Sequence, residues 1–265
     1  QTSLAELAFA AGVQKTNETV NSNKPTEEPK IVKTPSSVVV QDKTPIEEKK
    51  SAEIVPSPVE KTHHYNPKKI PTYLGLFTET DPFHEIKNFV LDGIDRLCYH
   101  FNKDKALENA YYDISDKAYR SLYFVKDFHV TTLFIGKDKT KTETEHFKTF
   151  KPNHRMKLQL VGFVIVPEKI VTAICYPDQS AIKIENEYPH MTLMTGKWTP
   201  KDSNELFTSL FGNNGPLSEQ YHSKKLETAK EFVEKVSVTV RKHTETAYVI
   251  KTKPLKLSVI SDAFF

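Results

Sequence analysis

Two histidines, each followed two positions later by a threonine, are the residues of this chain best suited to chemistry. His129 and Thr131 lie in the apolar run FHVTTLFIG, and His190 and Thr192 lie in the similar run YPHMTLMTG. Both runs predict β-strands. Because successive side chains of a strand alternate between its faces, each histidine shares a face with its threonine. If the two strands lie side by side, two imidazoles and two hydroxyls meet.

This set of groups suits the hydrolysis of a phosphodiester without a metal ion. Histidine titrates near neutral pH, so one imidazole can take a proton from water while the other gives a proton to the leaving oxygen. The threonine hydroxyls can donate to the non-bridging phosphate oxygens, where negative charge develops. A single H-x-T is ordinary in a strand. Two copies, each followed by a glycine at Gly136 or Gly196, favour a functional interpretation.

The two motifs and their flanks resemble a known superfamily. HVTTLF and HMTLMT are similar to the signature of the 2H phosphoesterases. The runs IENEYPHMTLMTGKWTPKDSNELF and PLKLSVISDAFF resemble the C-terminal cyclic phosphodiesterase domain of plant- and fungal-type tRNA ligases. HVTT together with Phe134 also resembles 2′,3′-cyclic-nucleotide 3′-phosphodiesterase. The resemblance covers about residues 70–265 and is specific around the two motifs.

The resemblance implies a hydrolase without metal or cofactor that opens an RNA-terminal 2′,3′-cyclic phosphate to a 2′-phosphate, as in tRNA splicing and RNA repair. It implies His190 as the base, His129 as the acid, and Thr131 and Thr192 as the phosphate-binding hydroxyls, although the symmetry of the pair leaves the order of the histidines open. The expected substrates are RNA ends such as tRNA exon halves, or nucleoside 2′,3′-cyclic phosphates. The resemblance to tRNA ligases also implies that ligase and kinase domains lie upstream in a longer protein. The two cysteines, Cys98 and Cys175, suggest no disulfide framework and indicate a reducing compartment, the cytoplasm or the nucleus.

Two other interpretations fit the same motifs. The site could act on a 2′,5′-phosphodiester or trim an RNA 3′ end, as a different enzyme of the same superfamily. The fold could also serve as a non-catalytic module that binds RNA ends. Such a module needs groups that hold a phosphate but not two proton carriers, so the two intact motifs favour an enzyme.

Three aromatic residues near the motifs are candidates for substrate binding. The resemblance implies that Phe134 stacks on a base, whereas strand alternation predicts that it faces away from His129 and joins the core. Tyr188 shares the face of His190 by the same alternation and is a candidate for contact with a base or a phosphate, with packing in the core as the alternative. Trp198 follows the second motif, where it could contact a ligand, but helix–sheet packing is the favoured role.

Composition divides the chain into two parts. Residues 1–68 are rich in Pro, Ser, Lys and Glu and predict a disordered tail or linker, while residues 69–265 predict one phosphodiesterase-like domain. The net charge of +3 is only mildly basic. With two cysteines and no metal-binding or P-loop spacing, no metal site is expected. No apolar run approaches the roughly 20 residues of a membrane span, so no membrane contact is expected.

The pattern of apolar residues predicts an α+β fold. It indicates a helix over 82–101, a hairpin turning at Pro167-Glu168, a helix starting at Thr199-Pro200, and three final strands, of which two cover 246–253 and 255–261. Each motif strand has a helix in its own half. Together with the resemblance, this predicts a bilobal fold in which two antiparallel sheets flank a central cleft and the helices lie outside.

Overall fold

The chain folds into a mixed α+β structure, as predicted. The computed structural model describes residues 69–102, 104–116, 121–177 and 182–265, so the predicted tail over 1–68 lies outside the described residues. The strands are β1 (Tyr73–Thr78), β2 (Tyr123–Phe124), β3 (His129–Phe134), β4 (Arg155–Val166), β5 (Ile170–Pro177), β6 (His190–Thr195), β7 (Val233–Val240) and β8 (His243–Phe264). The helices are α1 (Phe83–His100), α2 (Lys105–Ser115), α3 (Glu145–Thr149), α4 (Asp202–Phe211), α5 (Ser218–His222) and α6 (Lys225–Thr228), with a 3-10 helix at Lys139–Glu143.

All eight strands join in one antiparallel sheet, where two sheets had been expected. Its order is β1-β3-β6-β5-β4-β8-β7, and β1 also pairs with β8, so six of the strands form a closed circuit of pairings. The circuit has two halves, one containing β1 and β3 and the other containing β5 and β6. The long strands β4 and β8 run through both halves. Residues 243–250 of β8 pair with β7, and residues 259–264 pair with β1.

A register shift in β4 separates these halves. It falls between Leu160 and Gly162, in the stretch where β4 pairs with β8. A Cβ at Gly162 would lie 2.1 Å from the carbonyl oxygen of Ile250, so only glycine allows the two backbones this approach. Pro254 of β8 lies opposite the same shift, between the paired residues Lys251 and Leu255. Proline is tolerated there because no ladder hydrogen bond to β4 is required of it. The two strands predicted over 246–253 and 255–261 are therefore one continuous strand.

Hydrophobic residues cover both faces of the sheet. On one face α1 buries Ile86, Val90, Ile94 and Leu97, which recur at the helical spacing that predicted this helix. On the other face α4 buries Leu206, Phe207, Leu210 and Phe211. Because β4 lies between these two clusters, its residues from 160 to 166 are buried without alternation.

The helix after the second motif begins two residues later than predicted. It starts at Asp202, and Thr199 is not its cap. Instead, the backbone N–H and the hydroxyl of Thr199 both donate to the Asp202 carboxylate. Arg241 also donates to this carboxylate. Among the described residues, no helix is long and apolar enough to cross a membrane.

Candidate active site

The two motif strands meet at one pair of residues. β3 and β6 are antiparallel, and Val130 pairs with Met191, whose side chain, like that of Val130, is buried in the core. Antiparallel pairing around this point sets His129 across from Thr192 and Thr131 across from His190, on the opposite face of the strands. These four side chains line a single groove of about 250 Å³. The structure thus brings together the four residues singled out in the sequence.

Each imidazole is held by the backbone of its own motif. His129 Nδ1 lies 3.1 Å from the carbonyl oxygen of Asp127, and His190 Nδ1 lies 2.7 Å from the carbonyl oxygen of Tyr188, two residues earlier in both cases. A carbonyl oxygen only accepts hydrogen bonds, so Nδ1 carries the hydrogen in both rings. Nε2 is then the nitrogen of each ring that is available for proton transfer.

Both motif strands also contain an irregularity three residues after the histidine. In β3, residues Leu74 and Gly75 of β1 pair with residues 133 and 131, so Thr132 is an extra residue. In β6, neighbouring residues of β5 pair with residues 194 and 192, so Leu193 is extra. A β-bulge of this kind shifts the side-chain alternation by one residue. The two motifs are therefore alike in backbone as well as in sequence.

The bulge explains the position of Phe134, which is not the core position that strand alternation predicted. Thr132 and Leu133 are both buried, so the next residue returns to the face of His129. The Phe134 ring is 55% exposed and lines the groove. The Lys141 ammonium, which also lines the groove, donates to the Phe134 carbonyl oxygen at 2.8 Å.

The surroundings of His129 are aromatic. Its ring stacks on Tyr73 at 4.9 Å and on Phe77 at 5.3 Å between centroids. Burial lowers the pKa of His129 below its ordinary value, and the backbone bond to Asp127 and the charge of its carboxylate oppose that change. His129 is therefore biased toward the neutral form but retains a nearby negative charge that supports protonation.

His190 is enclosed more completely. Its side chain packs against Phe207 at 4.7 Å between centroids, and its Nε2 lies 2.9 Å from Ser203 Oγ. Burial lowers the pKa of His190 to about 4, the hydrogen bond to Tyr188 opposes this change, and the charge of His129 adds to it. At neutral pH this imidazole is uncharged, as a general base must be.

Six polar residues of the groove were not predicted as site residues, and one of them is the buried Thr132 of the bulge. Ser203 and Asn204 belong to the first turn of α4, and Asn186 lies in the segment before β6 together with Glu185. Lys141 comes from the charged stretch 137–155, and the basic character of that stretch was the available signal. The position of Ser203 depends on how α4 returns over β6, which the sequence does not reveal.

The structure places Tyr188 and Trp198 in the core, outside the groove. Tyr188 is 4% exposed, packs against Phe211 and Tyr221, and donates its hydroxyl to Glu187. The prediction that Tyr188 faces a ligand is corrected, because β6 begins only at residue 190 and strand alternation does not extend back to it. Trp198 is buried in the cluster around α4, which agrees with the packing role.

Within the described ranges, no group of three or more His, Cys, Asp or Glu side chains could hold a metal ion. The groove offers imidazoles, hydroxyls, amides, one ammonium and one carboxylate. This set can exchange protons and donate hydrogen bonds to an anionic ligand.

Comparisons with known proteins find a likeness among solved structures. No protein-family model matches this chain, and no curated protein matches it. A crystal structure of a fungal RNA kinase is similar at 17% sequence identity with a TM-score of 0.43. The match covers 76% of this chain and 47% of that chain, so this chain spans about half the length of the other. A likeness of this size carries no argument about function.

Proposed function

We propose that this protein is a metal-independent 2′,3′-cyclic phosphodiesterase of the 2H type that converts an RNA-terminal cyclic phosphate to a 2′-phosphate. The observation that carries the proposal is the contact between β3 and β6, which sets His129 and His190 on one groove. Each ring has its Nδ1 held by a backbone carbonyl, so each directs the same kind of nitrogen to the reaction. The two halves of the sheet that share β4 and β8 correspond, in this proposal, to the two lobes of a 2H fold.

The two histidines have different roles in the proposed reaction. His190 is neutral at pH 7, so its Nε2 takes a proton from the attacking water as a bond forms between the water oxygen and phosphorus. The bond from phosphorus to the 3′ oxygen breaks, and His129 gives that oxygen a proton. The carboxylate of Asp127 supports the protonated form of His129, which suits it to the role of acid.

The hydroxyls and the outer part of the groove bind the rest of the substrate. Thr131 and Thr192 donate to the non-bridging phosphate oxygens, which gain negative charge in the transition state. The exposed ring of Phe134 offers a surface on which a base can stack. The ammonium of Lys141, with two donors left after its bond to a backbone carbonyl, can contact a neighbouring phosphate.

The test is a rate measurement on a short RNA that ends in a 2′,3′-cyclic phosphate. We expect a 2′-phosphate product, identified against 2′- and 3′-phosphate standards. Because no step uses a metal ion, EDTA should leave the rate unchanged. Replacing either His129 or His190 by Ala should lower kcat by about 10²–10⁴-fold. His84→Ala, at an exposed position of α1, is the matched control.

The same experiment separates the other interpretations. A panel that adds 2′,5′-linked oligonucleotides and RNAs with 3′ tails would identify a different phosphodiester substrate. Binding of the cyclic-phosphate RNA without any product in a single turnover would identify a binding module. Turnover that survives both histidine substitutions would remove these residues from catalysis and with them the proposal.

A further inference from the structure

Ser203 is a groove residue whose single hydroxyl lies within hydrogen-bond distance of three other polar atoms. It lies in the first turn of α4 and is fully buried. Its Oγ is 2.9 Å from His190 Nε2, 3.2 Å from Thr192 Oγ1 and 2.5 Å from the carbonyl oxygen of Pro200. A hydroxyl has one hydrogen to give, so it can donate to only one of these three atoms.

The shortest contact assigns that hydrogen. A carbonyl oxygen cannot donate, and two oxygens 2.5 Å apart need a hydrogen between them, so Ser203 donates to Pro200. Ser203 then turns its lone pairs toward His190. Because Nδ1 of His190 also faces a carbonyl oxygen, that of Tyr188, both nitrogens of the ring meet hydrogen-bond acceptors. This arrangement fits an imidazolium, in which both nitrogens are donors.

These two hydrogen-bond acceptors matter because the rest of the site disfavours a positive charge on His190. His190 is 8% exposed, and burial lowers its pKa to about 4. A charged group that loses its hydrogen-bond partner in such a place is destabilised more than a neutral one. A proton acceptor on Nε2 is therefore most valuable at the moment when the ring becomes charged.

We propose that Ser203 is a positioning residue that enables the buried His190 to hold a proton during the proposed reaction. When His190 is neutral, the Ser203 hydroxyl can turn and donate to Nε2. Once Nε2 has taken the proton of water, Ser203 accepts from it and donates to Pro200 instead. The charged state thus has two hydrogen bonds through Ser203, while the neutral state has one.

The other charged or titratable groups near His190 come from several elements. From β3 the nearby group is His129, while Glu185 of the segment before β6 and Lys141 of the 3-10 helix line the same groove. From α4 the nearby group is Asp202, whose carboxylate is bound by Arg241. On β5, the residue paired with His190 is the apolar Ile174.

Ser203→Ala tests the inference in two ways. We expect the pKa of His190, followed by NMR titration of its ring, to fall by about one unit, the equivalent of about 1.4 kcal/mol. We expect kcat on the cyclic-phosphate RNA to fall about tenfold or more, with KM changed less than twofold, because the base and not the binding surface is altered. Ser203→Thr, which keeps the hydroxyl, should restore both values. Ser223→Ala, at an exposed serine of the loop after α5, should change neither.

The direction of the pKa shift decides the outcome. A rise in the pKa of His190 in Ser203→Ala would mean that the hydroxyl stabilises the neutral ring, by donating to Nε2, more than it stabilises the charged ring. An unchanged pKa would mean that it favours neither form, and either result overturns the inference. The titration needs no substrate, so it stands even if the proposed cyclic phosphodiesterase activity fails. A melting curve for each variant establishes that the titrated protein is folded.

Discussion

Two histidines with the same motif and the same backbone contact occupy different surroundings. His129 packs against the rings of Tyr73 and Phe77, close to a carboxylate, whereas His190 is enclosed by α4 and bonded to Ser203. Environment therefore separates their tendencies to bind a proton, as an acid–base pair requires. The symmetry of the sequence motifs hides this difference, because it arises from residues outside them.

A residue-scale prediction concerns Lys141, which borders the groove beside Phe134. Lys141→Ala should lower kcat/KM on an RNA oligonucleotide with a cyclic phosphate end by about threefold to tenfold, because one contact to a backbone phosphate is lost. On a nucleoside 2′,3′-cyclic phosphate, which has no neighbouring phosphate, the rate should stay the same. The slope of log kcat/KM against log salt on the oligonucleotide should decrease by about 0.7.

The matched control is Lys139→Ala, which removes an exposed lysine of the same 3-10 helix that does not line the groove. It should leave both substrates unaffected. If Lys141→Ala slows both substrates equally, the ammonium acts by holding the Phe134 backbone and not by contacting a phosphate.

At the scale of elements, local patterns predicted what depends on local sequence. The spacing of Ile86, Val90, Ile94 and Leu97 predicted α1, and the turn at Pro167-Glu168 predicted the β4–β5 hairpin. These elements can be predicted without knowing which other elements they pack against. The pairing of His and Thr within each motif belongs to the same class, since two residues of a short strand share a face whatever the strand pairs with.

The sequence could not predict the features that depend on a partner strand. The bulges at Thr132 and Leu193 are set by how β3 and β6 align with β1 and β5, so strand alternation alone placed the exposed Phe134 in the core. Tyr188 was a candidate for ligand contact because strand alternation was extended back to it from His190, whereas β6 begins at residue 190. Ser203 was not singled out because its importance comes from its contact with His190, which belongs to another element.

An element-scale prediction tests the close approach of β4 and β8 at Gly162. Gly162→Ala should lower the free energy of unfolding by about 2–3 kcal/mol, because its Cβ would meet the backbone of Ile250 at 2.1 Å and the strands must separate. Urea denaturation measures the change. Ser237→Ala on the exposed side of β7 is the control and should stay within about 0.5 kcal/mol of the parent protein. If Gly162→Ala is as stable as the parent protein, β4 and β8 lie farther apart at this position.

At the scale of the whole molecule, the groove lies where β3 and β6 join the two halves of the circuit of strands. β3 belongs to the half with β1, β6 belongs to the half with β5, and one residue pair joins them. The proposed catalytic arrangement therefore depends on both halves and cannot be formed by either one. His190 is buried and His129 is partly buried, so their titration affects the stability of the entire fold.

The dependence of stability on pH follows from His190. Its pKa is about 4 in the folded protein against an ordinary value of 6.5, so the unfolded chain binds this proton first as the pH falls. The contribution of the neutral ring to stability is complete above pH 6.5 and is lost as the pH falls from 6.5 to about 4. The loss is on the order of 3 kcal/mol at most. Burial also lowers the pKa of His129 and of His146, which adds to the loss in the same direction.

His190→Asn should remove this part of the pH dependence, because asparagine does not titrate. We expect the parent protein to be more stable than the variant at pH 7, and the difference in the free energy of unfolding to shrink by about 2–3 kcal/mol on going to pH 4. Urea denaturation across this range measures it, with His84→Asn, at an exposed position of α1, as the control. Parallel curves for the parent and His190→Asn would mean that His190 titrates alike in the folded and unfolded chains, which its enclosure by α4 and β6 does not permit.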